Sequence, residues 1–210
     1  MNLKPYIPAQ ESYASLRARH EPNPLLVQAL DLLEARNGHA LDVGAGPLND
    51  TRCLLRAGLS VDAVDTDAYT VSLAAKVGDP RLRVRHADIR DVPIASEAYS
   101  LIVAIHVLPF LLRGDLDEVL PSIIGGLCDG GILCCTFLGT DDSWAGRRPH
   151  MTFLSRRQLD TLLSGLDRIV FSEDRYDGRN ARGEPKRWHV HRCICRKAAS
   201  VTQPTWQSNP

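Results

Sequence analysis

No stretch of the 210 residues approaches the roughly 18 consecutive apolar residues of a membrane-spanning helix, so no membrane partner is expected. The opening MNLKPYIPAQ lacks the apolar run of a secretory signal, and a cytoplasmic location is expected. Excess charge of either sign is missing, because 25 Lys and Arg face 25 Asp and Glu. A balanced chain does not advertise a polyanion partner, and aromatic content of only 6% offers little for stacking bases, so nucleic acid is not expected either. None of the six cysteines forms a C-x-x-C pair. Cys134, Cys135, Cys193 and Cys195 stand in apolar, strand-like runs, where cysteine behaves as a small buried hydrophobe. Reduced core thiols are expected, not disulfides or metal ligands. Internal repeats and low-complexity tracts are absent too. The length fits one domain that can bury a core without staples.

What is present is a rhythm. Residues 1–22 are polar with scattered prolines and read as an irregular arm. Pro24 can open a helix at its first position, and Leu25, Leu26, Ala29, Leu30 and Leu33 fall on one helical stripe that Asn37-Gly38 stops. Short apolar runs at 40–43, 60–64, 82–86, 99–105 and 132–138 read as strands. Helical patterns lie between them at 50–57, 67–77 and 115–127. Apolar strands alternating with amphipathic helices predict an α/β fold, a doubly wound, mostly parallel sheet with helices on both faces. The end differs. After a helix at 155–163, strands at 168–173 and 188–196 have no helix between them, only a polar loop at 174–187, and should pair antiparallel. The domain is expected over 23–197, with a disordered tail at 198–210.

In such a sheet the ligand sits at the carboxyl ends of the strands. The first strand ends in Asp42-Val43-Gly44-Ala45-Gly46, the second in Val64-Asp65, the third in His86-Ala87-Asp88, so carboxylates occupy three successive strand ends. A glycine turn with an acid 21 residues after Gly44 suits a nucleoside, because backbone packs on the ligand and the acid takes the ribose hydroxyls. A dinucleotide pattern would need glycine at position 49, where Asn49 stands. Asp42 would also repel a pyrophosphate. S-adenosylmethionine (AdoMet) carries an ammonium and a sulfonium instead, for which an acidic floor is favourable.

The run from Leu41 to Gly46 resembles the first motif of class I AdoMet-dependent methyltransferases. The resemblance implies that Asp65 binds ribose, Asp88 binds adenine, and the segment 102–112, with His106, lies beside the sulfonium. Gly130-Gly131 resembles the glycine pair before the fifth strand. The likeness covers roughly 20–197 and implies a Rossmann-like, seven-stranded sheet whose last strand is antiparallel. Expected cofactor contacts are Asp42, Gly44, Ala45, Gly46, Asn49, Asp65, Thr66, Asp88, Ile89 and His106. The runs Asp142-Ser143-Trp144, Met151-Thr152-Phe153-Leu154 and 183–190 are similar to small bacterial methyltransferases related to the tellurite-resistance group. Two positions depart from the pattern. Leu48 replaces a usual third glycine and is expected to narrow the space near the methionine tail; Asp129 replaces a usual proline.

Methyl transfer to a small-molecule acceptor by in-line displacement is the expected reaction. Alignment in a dry site supplies much of the catalysis, and a base is needed only if the acceptor loses a proton. His106 and His189 are the catalytic candidates; Trp144, His150 and Trp188 are the candidate acceptor contacts. The alternative is AdoMet binding without methyl transfer, as a sensing or partner-binding module. On the last strand Trp188, Val190 and Arg192 share one face and His189 and His191 the other. No third ligand is evident beside the two histidines, so no metal is expected. The basic pairs Arg147-Arg148, Arg156-Arg157 and Lys186-Arg187 read as solvated loops. The sequence leaves the oligomeric state and the reacting atom of the acceptor unread.

Overall fold

A computed structural model of the chain describes residues 21–34 and 37–199. Nearly all of the expected arm and of the expected tail lie outside these residues. Helix α1 (Pro24–Asp31) starts at Pro24, where the missing N–H costs nothing, and the Asn23 side chain accepts the Leu25 N–H at 3.0 Å. Strand β1 (His39–Val43), helix α2 (Asn49–Arg56), strand β2 (Ser60–Asp65), helix α3 (Ala68–Val77) and strand β3 (Leu82–His86) follow the predicted rhythm. Asp67 caps α3 through the Tyr69 N–H, and Gly78 closes it in the left-handed region at φ 64°. Strand β4 (Tyr99–Ala104), helix α4 (Arg113–Gly126) and strand β5 (Leu127–Gly139) complete the parallel part. Then come the two-residue strand β6 (Phe153–Leu154), helix α5 (Arg156–Leu162), β7 (Asp167–Arg179) and β8 (Pro185–Arg196). Ser155 and Gln158 form a reciprocal capping box at the start of α5.

The sheet runs β3-β2-β1-β4-β5-β8-β7, with β6 pairing parallel to the end of β5. Strands β1 to β5 are parallel, and β8 is antiparallel to both β5 and β7. Side chains alternate across it. Leu41, Val43, Ile102, Leu133 and Phe137 pack with Leu116, Leu120 and Ile123 of α4 on one face. Ala40, Val61, Leu101, Val103 and Cys134 pack with Leu26, Ala29 and Leu54 on the other. Both faces are covered, as near-continuous apolar strands require. Cys134, Cys135, Cys193 and Cys195 are buried in this core.

Two boundaries move. The Gly130-Gly131 pair, expected before the fifth strand, lies inside β5 as part of a bulge: the register steps from Tyr99 opposite Leu127 to Leu101 opposite Ile132. Surplus residues there loop out without ending the ladder. The expected polar loop at 174–187 is mostly strand, with β7 and β8 paired out to Arg179 opposite Pro185. A ladder of backbone hydrogen bonds needs no apolar face. At the tip, the Asn180 side chain accepts the N–H groups of Arg182 and Glu184, while Gly183 takes φ 80°.

Candidate cofactor and acceptor site

The carboxyl ends of β2, β1 and β4 lie side by side, which brings Asp65, the 44–48 loop and His106 to one edge. Gly44 has φ 70°, and a Cβ there would fall 2.7 Å from Val107 Cγ2, so glycine is required on both counts. The N–H groups of Gly44 and Ala45 both donate to the Val64 carbonyl, at 2.8 and 3.1 Å. Gly46 N–H donates to Asp65 Oδ2 at 2.6 Å, and Asp67 N–H to Oδ1 at 2.7 Å. Each carboxylate oxygen keeps a lone pair, so Asp65 is held in place yet able to accept two hydroxyls. Burial raises its pKa. Thr66 is exposed beside it, and Asn49, half-buried, opens α2.

Asp42 lies beneath this loop, 3% exposed, and Thr51 donates its hydroxyl to Oδ2 at 2.5 Å. Burial first, then the neighbouring Asp50, pushes its pKa up to about 7. The loop therefore rests on a buried acid whose pKa lies near neutrality.

Leu48 corrects an expectation. Its backbone has φ 62°, the left-handed conformation for which glycine is the usual choice. Its side chain, fully buried, does not narrow the loop. It packs with Ala45, Ala63 and Leu73, on the side of the loop that faces α3 and β2. Apolar burial offsets the conformational cost, which composition at that position could not reveal.

Ala87 N–H bonds the Asp65 carbonyl at 3.0 Å, which sets Asp88 next along the same edge. Asp88 accepts from the Arg90 N–H, and its carboxylate is forked by the Arg90 guanidinium at 3.0 and 2.8 Å. The same arginine reaches Asp115 at 2.8 Å. Ile89 is buried behind it. His106 just follows β4 with φ 56°, and its N–H donates to Thr136 Oγ1 at 2.8 Å. A non-glycine residue held left-handed at a strand end marks a place where the chain is shaped by its surroundings.

Of the residues expected to contact an acceptor, Trp144 and Trp188 meet with ring centroids 5.9 Å apart, and Trp188 lies 6.3 Å from the His106 ring. Between the two indoles sits Lys186, its ammonium 4.1 Å and 4.2 Å from the ring centres and its side chain sealed from solvent. It pairs with Asp142, equally sealed, which also accepts the backbone N–H groups of Trp144 and His189. Burial lowers the Lys186 pKa. Sequence reasoning placed Asp142 only within a run of resemblance and read Lys186 as part of a solvated basic pair, which its burial corrects; their separation by 44 positions hid the partnership. Trp144, Arg147, Lys186 and Arg187 line a cleft of about 320 Å³. His150 is exposed. His189 is buried, with Nδ1 accepting the Asp141 N–H at 3.0 Å and Nε2 bonded to Glu173 at 3.0 Å, so both ring nitrogens are engaged. Glu173 was hidden in sequence because only the β7–β8 register sets it opposite His191.

Residues 41–135 match the family described as the methyltransferase domain. A carboxy-S-adenosyl-L-methionine synthase from Shewanella frigidimarina is 33% identical over 96 residues, 43% of this chain and 39% of that protein. Among solved structures, TehB from Haemophilus influenzae superposes with a TM-score of 0.70 at 16% identity, over 82% of this chain and 61% of that one. N-methyltransferase NodS from Bradyrhizobium japonicum, in complex with S-adenosyl-L-homocysteine, gives 0.63 at 17% identity, over 88% and 97%. The chain thus spans less than two thirds of both the synthase and TehB. Residues 41–135 match a methyltransferase domain, in a chain whose fold resembles that of TehB.

Proposed function

We propose that the chain binds AdoMet over the 42–46 loop and transfers its methyl group to a small-molecule acceptor in the cytoplasm. The observation that carries this reading is the Gly46 N–H to Asp65 bond, which joins the glycine turn and the ribose-binding acid into one rigid cradle. Asp42 supplies the acidic floor for the ammonium and sulfonium, Ala45 and Asn49 flank the amino-acid portion, and Thr66, Asp88 and Ile89 border the nucleoside. His106 stands beside the methyl group as the base for an acceptor that must lose a proton. His189, engaged at both nitrogens, acts by holding the 141–144 loop. The acceptor enters by the Trp144 cleft and passes Trp188 toward His106; His150 stands at the exposed rim.

The family match and the S-adenosyl compounds named with the synthase and with NodS support AdoMet as the cofactor. Calorimetry tests the cradle: wild type should bind AdoMet in the micromolar range, and Asp65→Ala should bind at least about tenfold more weakly, a loss of about 1.4 kcal/mol. Absence of AdoMet binding by the folded wild type overturns the reading. A second reading, AdoMet binding without methyl transfer, draws support from the synthase, whose name is not that of a methyltransferase. Formation of S-adenosylhomocysteine from AdoMet with a mixture of small-molecule acceptors separates the two.

A further inference from the structure

Outside the cofactor loop, β7 and β8 bring three metal-binding side chain types to one place. Glu173 stands directly across from His191, and His189 follows two residues away on the same face. One ligand atom from each of Glu173, His189 and His191 lies within 4.8 Å of the others. The two imidazoles are themselves 4.8 Å apart, centre to centre. Among the described residues His191 Nδ1 is the buried side-chain polar atom left without a hydrogen-bond partner. Its other nitrogen donates to the Leu154 carbonyl at 3.1 Å. That bond fixes the tautomer: the proton is on Nε2 and the lone pair on Nδ1. A metal-binding histidine is oriented in this way, by a carbonyl behind the ring. Glu173 uses only Oε1 for Arg175 and His189, and with its side chain 26% exposed it leaves a way in from solvent.

We propose that Glu173, His189 and His191 form a binding site for a divalent transition-metal ion of the zinc type, clamping the β7–β8 hairpin. Two imidazole nitrogens and one carboxylate oxygen are a donor set that suits such an ion, with positions left for water. Loading moves one proton. The single ring proton of His189, now on Nε2 and shared with Glu173, moves to Nδ1 by exchange through solvent, so the ring stays neutral and Nε2 is left with its lone pair. At Nδ1 the Asp141 carboxylate, 3.6 Å away, replaces the Asp141 N–H as partner. The lone pairs of His189 Nε2, His191 Nδ1 and Glu173 then face the ion. The site does not depend on the AdoMet reading.

Zinc titration of the chelator-treated full chain, by calorimetry, tests the site. One equivalent should bind, and both Glu173→Gln and His191→Ala should weaken it by more than about 100-fold, beyond the effect of an outer partner. Asp141→Asn should weaken it by about tenfold, and His150→Ala should leave it unchanged. Glu173→Gln keeps the test sound if His191→Ala fails to fold. Substituted cobalt should show visible ligand-field bands without a thiolate charge-transfer band. No zinc binding, binding that survives Glu173→Gln, or a cobalt–thiolate band overturns the proposal.

Discussion

A carboxylic acid sealed beneath a glycine turn holds its proton more tightly than the same acid in an unfolded chain. For Asp42 the pKa rises from 3.8 to about 7. Folded protein therefore binds more protons than unfolded protein between these values, so stability falls as pH rises across that window and then levels. Urea midpoints for wild type should decline from pH 5 to 7.5, and Asp42→Asn should remove much of that slope. AdoMet affinity should run the other way. Its ammonium favours the ionised acid, so binding releases a proton and affinity climbs with pH, by at most about tenfold per pH unit, until about pH 7. Calorimetry in two buffers of different ionisation heat would measure the released proton. At Leu48 two effects oppose. Relieving the left-handed backbone gains about 1–2 kcal/mol, and emptying a buried leucine site costs about 2–5 kcal/mol. Leu48→Gly should lose up to about 4 kcal/mol by difference while AdoMet affinity changes little; a large affinity change would place the side chain in the cofactor space. The identity of Leu48 was plain in the sequence, but its direction was not. A departure from a glycine pattern says that backbone freedom is gone, not where the new side chain points.

At the scale of elements, a sealed ion pair fastens the β7–β8 hairpin, through Lys186, to the loop that follows β5, through Asp142. Removing one partner of such a pair leaves an uncompensated buried charge and costs about 3–5 kcal/mol. Asp142→Ala should lose that much in chemical denaturation, since it also frees the N–H groups of Trp144 and His189. Lys186→Met combined with Asp142→Leu should lose less than Asp142→Ala alone; a double variant as unstable as the sum of both singles would refute a coupled pair. The parallel strands and their helices were legible because apolar periodicity reports burial on a central sheet. The hairpin was only half legible. From 174 to 187 the chain is held by backbone ladders and long-range polar pairs, which leave no periodic trace. Glu173, Asp142 and Lys186 find their partners through register alone.

Across the whole molecule, protection should grade from the centre of the sheet outward. Amides of β1, β4 and β5, covered on both faces, should exchange only through global unfolding, and those at the 177–187 tip through local opening. Hydrogen exchange that is equally slow at both would contradict this ordering. The candidate cofactor residues could be named from sequence because these acids and glycines are close in sequence to the strands that carry them. The arrangement around Trp144, Lys186 and Trp188 could not, because it is assembled from separate stretches of the chain. The strand order has a bearing on synthesis. The last strand is inserted between β5 and β7 rather than added outside them. Until residues 185–196 leave the ribosome, β5 presents an unpaired, apolar margin, and β7 has no neighbour in the sheet. An open margin of that kind invites pairing with other chains. A nascent chain halted before Pro185 therefore carries its adhesive surface uncovered, and the closing strand acts as the molecule's own guard against self-association.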